Sequence, residues 1–166
     1  NFSPELTGIG KYSGEMAEWF SERGHVVDVV TAPPYYPEWS VHSDYKCWFS
    51  RSSLKTGSLI RCPLYVPANP STVKRLIHLL SFSFSSALAL ITKLFDKSDV
   101  VLVVQPTLFC VPATLLYARL TGAKAVMHIQ DYEIDAMFGL GMMKQGVLMK
   151  IVKQCERWLM RRFDVI

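Results

Sequence analysis

Residues 99–129 read DVVLVVQPTLFCVPATLLYARLTGAKAVMHI, and this stretch decides the fold class. Five consecutive apolar residues, Val100 to Val104, predict a strand buried on both faces. Pro106 and Pro112 separate that strand from a helix expected over 107–121, which Gly122 stops. Residues 123–129 then read as the next strand. Two strands joined by a crossover helix are parallel neighbours, because a parallel pair needs a long connection and an antiparallel pair does not.

Working outward, the same alternation continues in both directions. Upstream, residues 14–23 predict a helix with Gly24 in the stop position. Val26-Val27-Asp28-Val29-Val30 predicts a strand ended by Pro33-Pro34, and residues 58–62 another ended by Pro63. Ser71 and Thr72 can cap a helix running to about Phe95, and residues 32–57 read as one long aromatic loop. Downstream, Val147, Leu148, Ile151, Val152, Cys155, Trp158 and Leu159 recur at helical spacing up to Phe163. The expected architecture is α/β, a Rossmann-like doubly wound parallel sheet forming a single domain over 1–166. Asn1-Phe2-Ser3-Pro4 reads as the exit of an earlier strand and Phe163-Asp164-Val165-Ile166 as the entry of a later one. A longer parent chain is therefore expected.

Composition narrows the function classes. Of 166 residues, 50% are hydrophobic and 19% charged, which excludes a disordered chain. Eighteen Lys and Arg against fourteen Asp and Glu leave a net charge of +4, too little for a nucleic-acid-binding composition. Cys47, Cys62, Cys110 and Cys155 form no C-x-x-C pair and have no His at zinc spacing, so no metal site is expected and reduced, cytoplasmic thiols are. Cys110 reads as a small core residue. The uncharged stretches 76–92 and 100–118 are broken by His78 and four serines, and by two prolines, so neither is expected to cross a membrane.

Ligands of doubly wound sheets bind beyond the carboxyl ends of the strands, which singles out three places. The first is Pro4-Glu5-Leu6-Thr7-Gly8-Ile9-Gly10-Lys11-Tyr12-Ser13-Gly14, a Gly-rich turn whose backbone amides, with Lys11, suit a phosphate. It is not a P-loop, since Tyr12 follows Lys11 and Glu stands at position 5. A dinucleotide site would also want an acid after the second strand, where Thr31 stands. The second is the 32–39 loop, where Tyr35, Tyr36 and Trp39 offer flat faces to a sugar ring, or else anchor the loop to its own domain. The third is His128-Ile129-Gln130-Asp131, where period-2 alternation puts His128 and Gln130 on one face and a carboxylate at the strand end can act as a general base. Two basic helices, 144–162 with six cations against Glu156 and the helix starting near Ser71 with Lys74 and Arg75, are either solvated covers of the sheet or contacts to anionic lipid.

The stretches at 2–17, Arg23 to Val27, Val30 to Trp39 (Val-Thr-Ala-Pro-Pro-Tyr-Tyr-Pro-Glu-Trp), Arg61 to Pro67 and His128 to Asp131 together resemble family-4 glycosyltransferases of bacterial exopolysaccharide synthesis, the colanic acid type among them. The match is collinear over nearly the whole chain. The resemblance implies the N-terminal, acceptor-side half of a GT-B fold, with its first strand and its donor-binding C-terminal domain outside this sequence. It implies hexosyl transfer from a nucleotide sugar to a lipid-linked saccharide at the inner face of the plasma membrane, with no cofactor and no metal. By position, Gly8 and Gly10 match the first-loop glycines near the donor diphosphate, and Asp131 matches the acid of a His-Asp-like signature. Gln130 stands where many relatives have His, and His128 lies two residues earlier. Asp131 is the expected base with His128 in reserve; Gly8, Gly10, Lys11, Tyr35, Tyr36, Trp39 and Gln130 are the expected substrate contacts. The chain alone is expected to be inactive. The alternatives are a nucleotide-dependent oxidoreductase domain and a non-catalytic Rossmann module that docks on a membrane or partner.

Overall fold

The structure is a computed structural model that describes residues 1–5, 8–105, 108–130 and 147–166, the last from position 150 onward with side chains. These residues form two units, Asn1–Ala89 and Leu90–Ile166.

In the first unit β1 (Val29–Thr31), β2 (Ser50–Ser53) and β3 (Ser58–Arg61) make a sheet of order β1-β3-β2. β1 runs parallel to β3 with Val30 beside Ile60, and β2 runs antiparallel to β3 with Arg51 beside Ile60. All four residues of β3 are buried. Leu59 packs with Phe2 and Ala17 on one face, and Ile60 with Cys62 and Ala89 on the other. Each such apolar side chain contributes about 1.5–3 kcal/mol when fully buried. β2 corrects the expectation of an unbroken loop over 32–57. Its Ser-Arg-Ser-Ser sequence is wholly exposed, so only the ladder to β3 makes it a strand.

Helix α1 (Gly8–Glu22) starts six residues before the expected helix, and its buried stripe is Gly10, Ser13, Ala17 and Ser21. Small residues at that spacing bring the helix backbone close to the sheet. Helix α2 (Thr72–Thr92) shows the reverse of ordinary amphipathicity. His78, Ser85, Ser86 and Ala89 are buried, while Val73, Ile77, Leu80, Phe84, Leu88 and Ile91 are exposed. The inward serines cause no loss because each donates to its own helix, Ser85 to Phe82 O and Ser86 to Ser83 O, both at 3.1 Å. By length and composition α2 is long and apolar enough to cross a membrane, contrary to the reading of its serines as interruptions.

In the second unit β4 (Val100–Gln105) pairs in parallel with β5 (Lys124–Ile129), Val100 beside Lys124 through Gln105 beside Ile129. A 3-10 turn (Leu108–Cys110) and α3 (Val111–Thr121) connect them, so the predicted βαβ unit is present. Gly122 ends α3 at φ +78, where its N–H reaches Ala118 O at 2.9 Å and a side chain would be strained. Cys110 is buried, as expected of a small core residue. Val165 bridges to Val126 in parallel, on the side of β5 away from β4.

Val103, Leu108, Val111 and Met127 form this unit's core, against which α4 (Val147–Met160) packs Val152, Leu159 and Met160. Two expectations need correction. Val103 and Gln105 of β4 are buried but Val100 and Leu102 are exposed, so one face of the strand is covered instead of two. Of the apolar stripe read along α4, Ile151, Cys155 and Trp158 are exposed, and Arg162 stacks over the Trp158 ring at 4.2 Å. The parallel pairs are those of a Rossmann-like half, but they occur as sheets of three and two strands, one strand of them antiparallel.

Candidate functional site

The Gly-rich segment and the aromatic loop meet through one residue, Glu5. Its side chain is buried, and its Oε1 accepts from the Tyr35 and Tyr36 backbone N–H groups at 3.2 and 3.3 Å. The other oxygen, Oε2, is buried with no hydrogen-bond partner among the described residues, a loss on the order of 1–3 kcal/mol for such a group. It lies against Gly10, where an added Cβ would fall 2.6 Å from both Glu5 Cβ and Oε2. Gly10 therefore makes its close approach to Glu5. Gly8, the first residue of α1, has φ +57 and open space around it. Lys11 is exposed and lies 3.8 Å from Glu15, a solvated pair worth little.

Arg61 ties the same two segments by their carbonyls. Buried at the end of β3, it donates from Nη1 to Ala32 O at 2.8 Å and from Nη2 to Ser3 O at 2.6 Å. Burial pulls its pKa down, opposed by Tyr45, whose ring lies beneath the guanidinium, and by Glu5.

Beyond this clamp the loop closes into an aromatic cluster. Tyr35 is half-buried and packs edge-on against Trp39 and His78, at centroid distances of 6.0 and 5.0 Å. Trp39 itself sits at φ +52, in the left-handed region that costs a non-glycine residue roughly 1–2 kcal/mol. The Arg75 guanidinium lies 5.3 Å from its ring. Tyr36 projects into solvent. Beside Trp39 is an open cleft of about 470 Å³ lined by Glu38, Trp39, Val41, Cys47, Leu64 and Tyr65. That volume lies within the usual range of small-ligand pockets, roughly 300–1,000 Å³.

His78 holds the cluster from α2. Its Nδ1 donates to Tyr65 O at 2.6 Å, which leaves Nε2 to accept from the Tyr35 hydroxyl at 3.1 Å. Burial is the largest cause of a pKa below the ordinary 6.5, partly offset by the Tyr65 carbonyl. The unfolded chain therefore binds the proton more readily, and the neutral imidazole's contribution is complete above 6.5 and lost as pH falls below it. Melting temperature is expected to drop from pH 7.5 to 5.5, and a pH series on His78→Gln should lack that part of the slope. Parallel pH profiles for the two proteins would refute the assignment.

The third place lies in the second unit. His128 is exposed on β5, on the face opposite buried Met127, and Gln130 is half-buried just past the strand. Asp131 and Lys144 fall outside the described residues. Among the described residues no group of three His, Cys, Asp or Glu could hold a metal ion.

The structure thus gathers Gly10, Tyr35 and the Tyr36 backbone around Glu5, and joins Tyr35 to Trp39. Glu5, Arg61 and His78, which hold them, escaped the sequence reading. The one available signal was an acid inside a Gly-rich turn.

The sequence profile described as Glycosyl transferase 4-like domain matches residues 7–166. The chain is also 54% identical over 146 residues to WcaI of Escherichia coli (strain K12), a protein named for glycosyl transfer in colanic acid biosynthesis. That alignment covers 88% of this chain and 36% of the relative, so the chain spans about a third of the relative's length. No solved structure matches the chain.

Proposed function

Because the chain belongs to the glycosyl transferase 4-like domain family, we propose that it is the acceptor-side domain of a nucleotide-sugar-dependent hexosyltransferase of colanic acid-like exopolysaccharide synthesis. The observation that carries this reading is the family match over 7–166, and the aromatic cleft beside Trp39 supports it. Aromatic faces cover the apolar face of a sugar ring, and Glu38 at the cleft can accept from its hydroxyls. Gly8 and Lys11, open to solvent, are the proposed contacts of the donor diphosphate, and Asp131 the proposed base. An oxidoreductase reading has no acid at the end of β1, where Thr31 closes the strand and Ala32 precedes two buried prolines.

The acceptor in this reading is lipid-linked, with the protein peripheral on the inner face of the plasma membrane. The outward apolar face of α2 favours it, with Lys74 and Arg75 in the first turn and no acid in the helix. A helix of that kind lies in the headgroup region with its apolar face down, each nearby cation adding about 1 kcal/mol on anionic lipid. In the second unit, Lys150 and Arg157 on α4 and Arg161 and Arg162 just after it are exposed cations that can meet anionic lipid in their own right.

The test uses the full-length parent protein with a panel of nucleotide sugars and a lipid-linked saccharide in anionic or neutral vesicles. Transfer and vesicle co-sedimentation are expected, the latter stronger on anionic vesicles and weakened by salt. Absence of transfer from every donor overturns the enzymatic reading. Equal sedimentation with both vesicle types, or none with either, overturns the membrane reading.

A further inference from the structure

The residues at 3–5 and 32–36 are sewn together by two buried charges of opposite sign, and the division of labour between them is complete. Arg61 takes carbonyl oxygens, Ser3 O and Ala32 O. Glu5 takes amide hydrogens, those of Tyr35 and Tyr36. Tyr35 passes the connection on through its hydroxyl to His78, whose other nitrogen is fixed on Tyr65 O, a residue of the cleft. On its opposite side Glu5 is seated on Gly10 in the first turn of α1, in space that any side chain at position 10 would occupy. One side chain thereby touches both the turn proposed for the donor phosphate and the loop proposed for the acceptor.

We propose that Glu5 is a positioning residue that sets the aromatic acceptor loop against the start of α1, and that Gly10 is glycine to seat it. This rests on the transferase reading above for its functional consequence, though the clamp itself does not. Loss of the carboxylate frees the amides of Tyr35 and Tyr36 and with them the placement of Tyr35 and Trp39, while the backbone around Gly8 is left as it is. A residue larger than glycine at position 10 displaces Glu5 and has the same result by another route. Glutamine at position 5 keeps an oxygen for both amides.

The experiment compares Glu5→Ala, Gly10→Ala, Glu5→Gln and the double variant Glu5→Ala/Gly10→Ala in the full-length protein. Hydrogen exchange of the Tyr35 and Tyr36 amides reads the clamp, and KM for acceptor against KM for donor and kcat reads its use. The two single alanine variants are expected to exchange at least tenfold faster there and to raise acceptor KM about tenfold, with donor KM within twofold. The double variant should be no worse than either, because both changes undo one contact. Glu5→Gln should restore both readouts to within about threefold. Unchanged exchange in Glu5→Ala overturns the clamp, whatever the enzyme does. Faster exchange with acceptor KM unchanged overturns the positioning role. A protein with no transferase activity in its unaltered form refutes the transferase reading, and exchange then still decides the clamp. If Glu5→Ala fails to fold, Gly10→Ala and Glu5→Gln carry the same two readouts.

Discussion

Replacing Asp131 by Asn in the full-length protein is expected to lower kcat by about 10²–10⁴-fold, the scale of general acid–base catalysis. A sugar hydroxyl has a pKa far above neutrality, so attack on the donor needs a hydrogen-bond acceptor in place as its proton departs. In the sequence Asp131 follows Gln130, β5 ends at Ile129, and ligands of doubly wound sheets bind beyond the carboxyl ends of their strands. The amide variant has the same shape and cannot take the proton. His128 is exposed on the strand itself and is proposed to orient, so His128→Gln should cost no more than about tenfold. Steady-state kinetics on the two variants decides between them. Near-normal turnover in Asp131→Asn together with loss of turnover in His128→Gln would reverse the roles.

Arg61→Ala is expected to cost the first unit about 3–5 kcal/mol of stability. A hydrogen bond from a charged donor contributes roughly 1.5–3 kcal/mol, and Arg61 makes two, to Ser3 O and Ala32 O. Removal also takes away a guanidinium that interacts electrostatically with the buried Glu5, and a buried carboxylate that loses such a partner adds to the loss. Arg61→Lys should recover only part, because an ammonium cannot reproduce a fork that reaches two carbonyls in different directions. Urea denaturation reads this directly. A loss below about 1 kcal/mol would show that the two carbonyls find other donors.

What the sequence made legible was whatever repeats. The run Val100 to Val104, the helix ended by Gly122 and the strand after it announce a βαβ unit because continuous apolarity and a left-handed stop are local signals. β2 has no such signal. Four polar exposed residues become a strand through a partner eight or so positions away in sequence. The start of α1 was hidden for the opposite reason, since Gly8 and Gly10 argue against helix by propensity, whereas at position 10 Glu5 fills the space a side chain would take. On α2 the helix was legible but the face it turns inward was not, because serines bonded to their own helix can face inward as readily as alanines.

The candidate site divides along the same line. Tyr35 and Trp39 stood out as aromatics in a Pro-bearing loop, and the structure brings their rings together. The groups that hold them are single polar residues from distant parts of the chain. Glu5 reaches Tyr35 across 30 positions, His78 reaches it across 43, and Arg61 reaches Ser3 across 58. No period or spacing connects residues so far apart; only the fold does.

β4 has β5 along one edge and no ladder partner along the other among the described residues. The strand reads Val-Val-Leu-Val-Val-Gln, with neither a lysine nor a proline in it. An open edge of that composition is in general a template for any extended segment, a second copy of the same strand included. Sequences of high β-propensity and no charge stacked this way grow into cross-β assemblies. A strand laid along such an edge guards against aggregation as much as it extends the sheet.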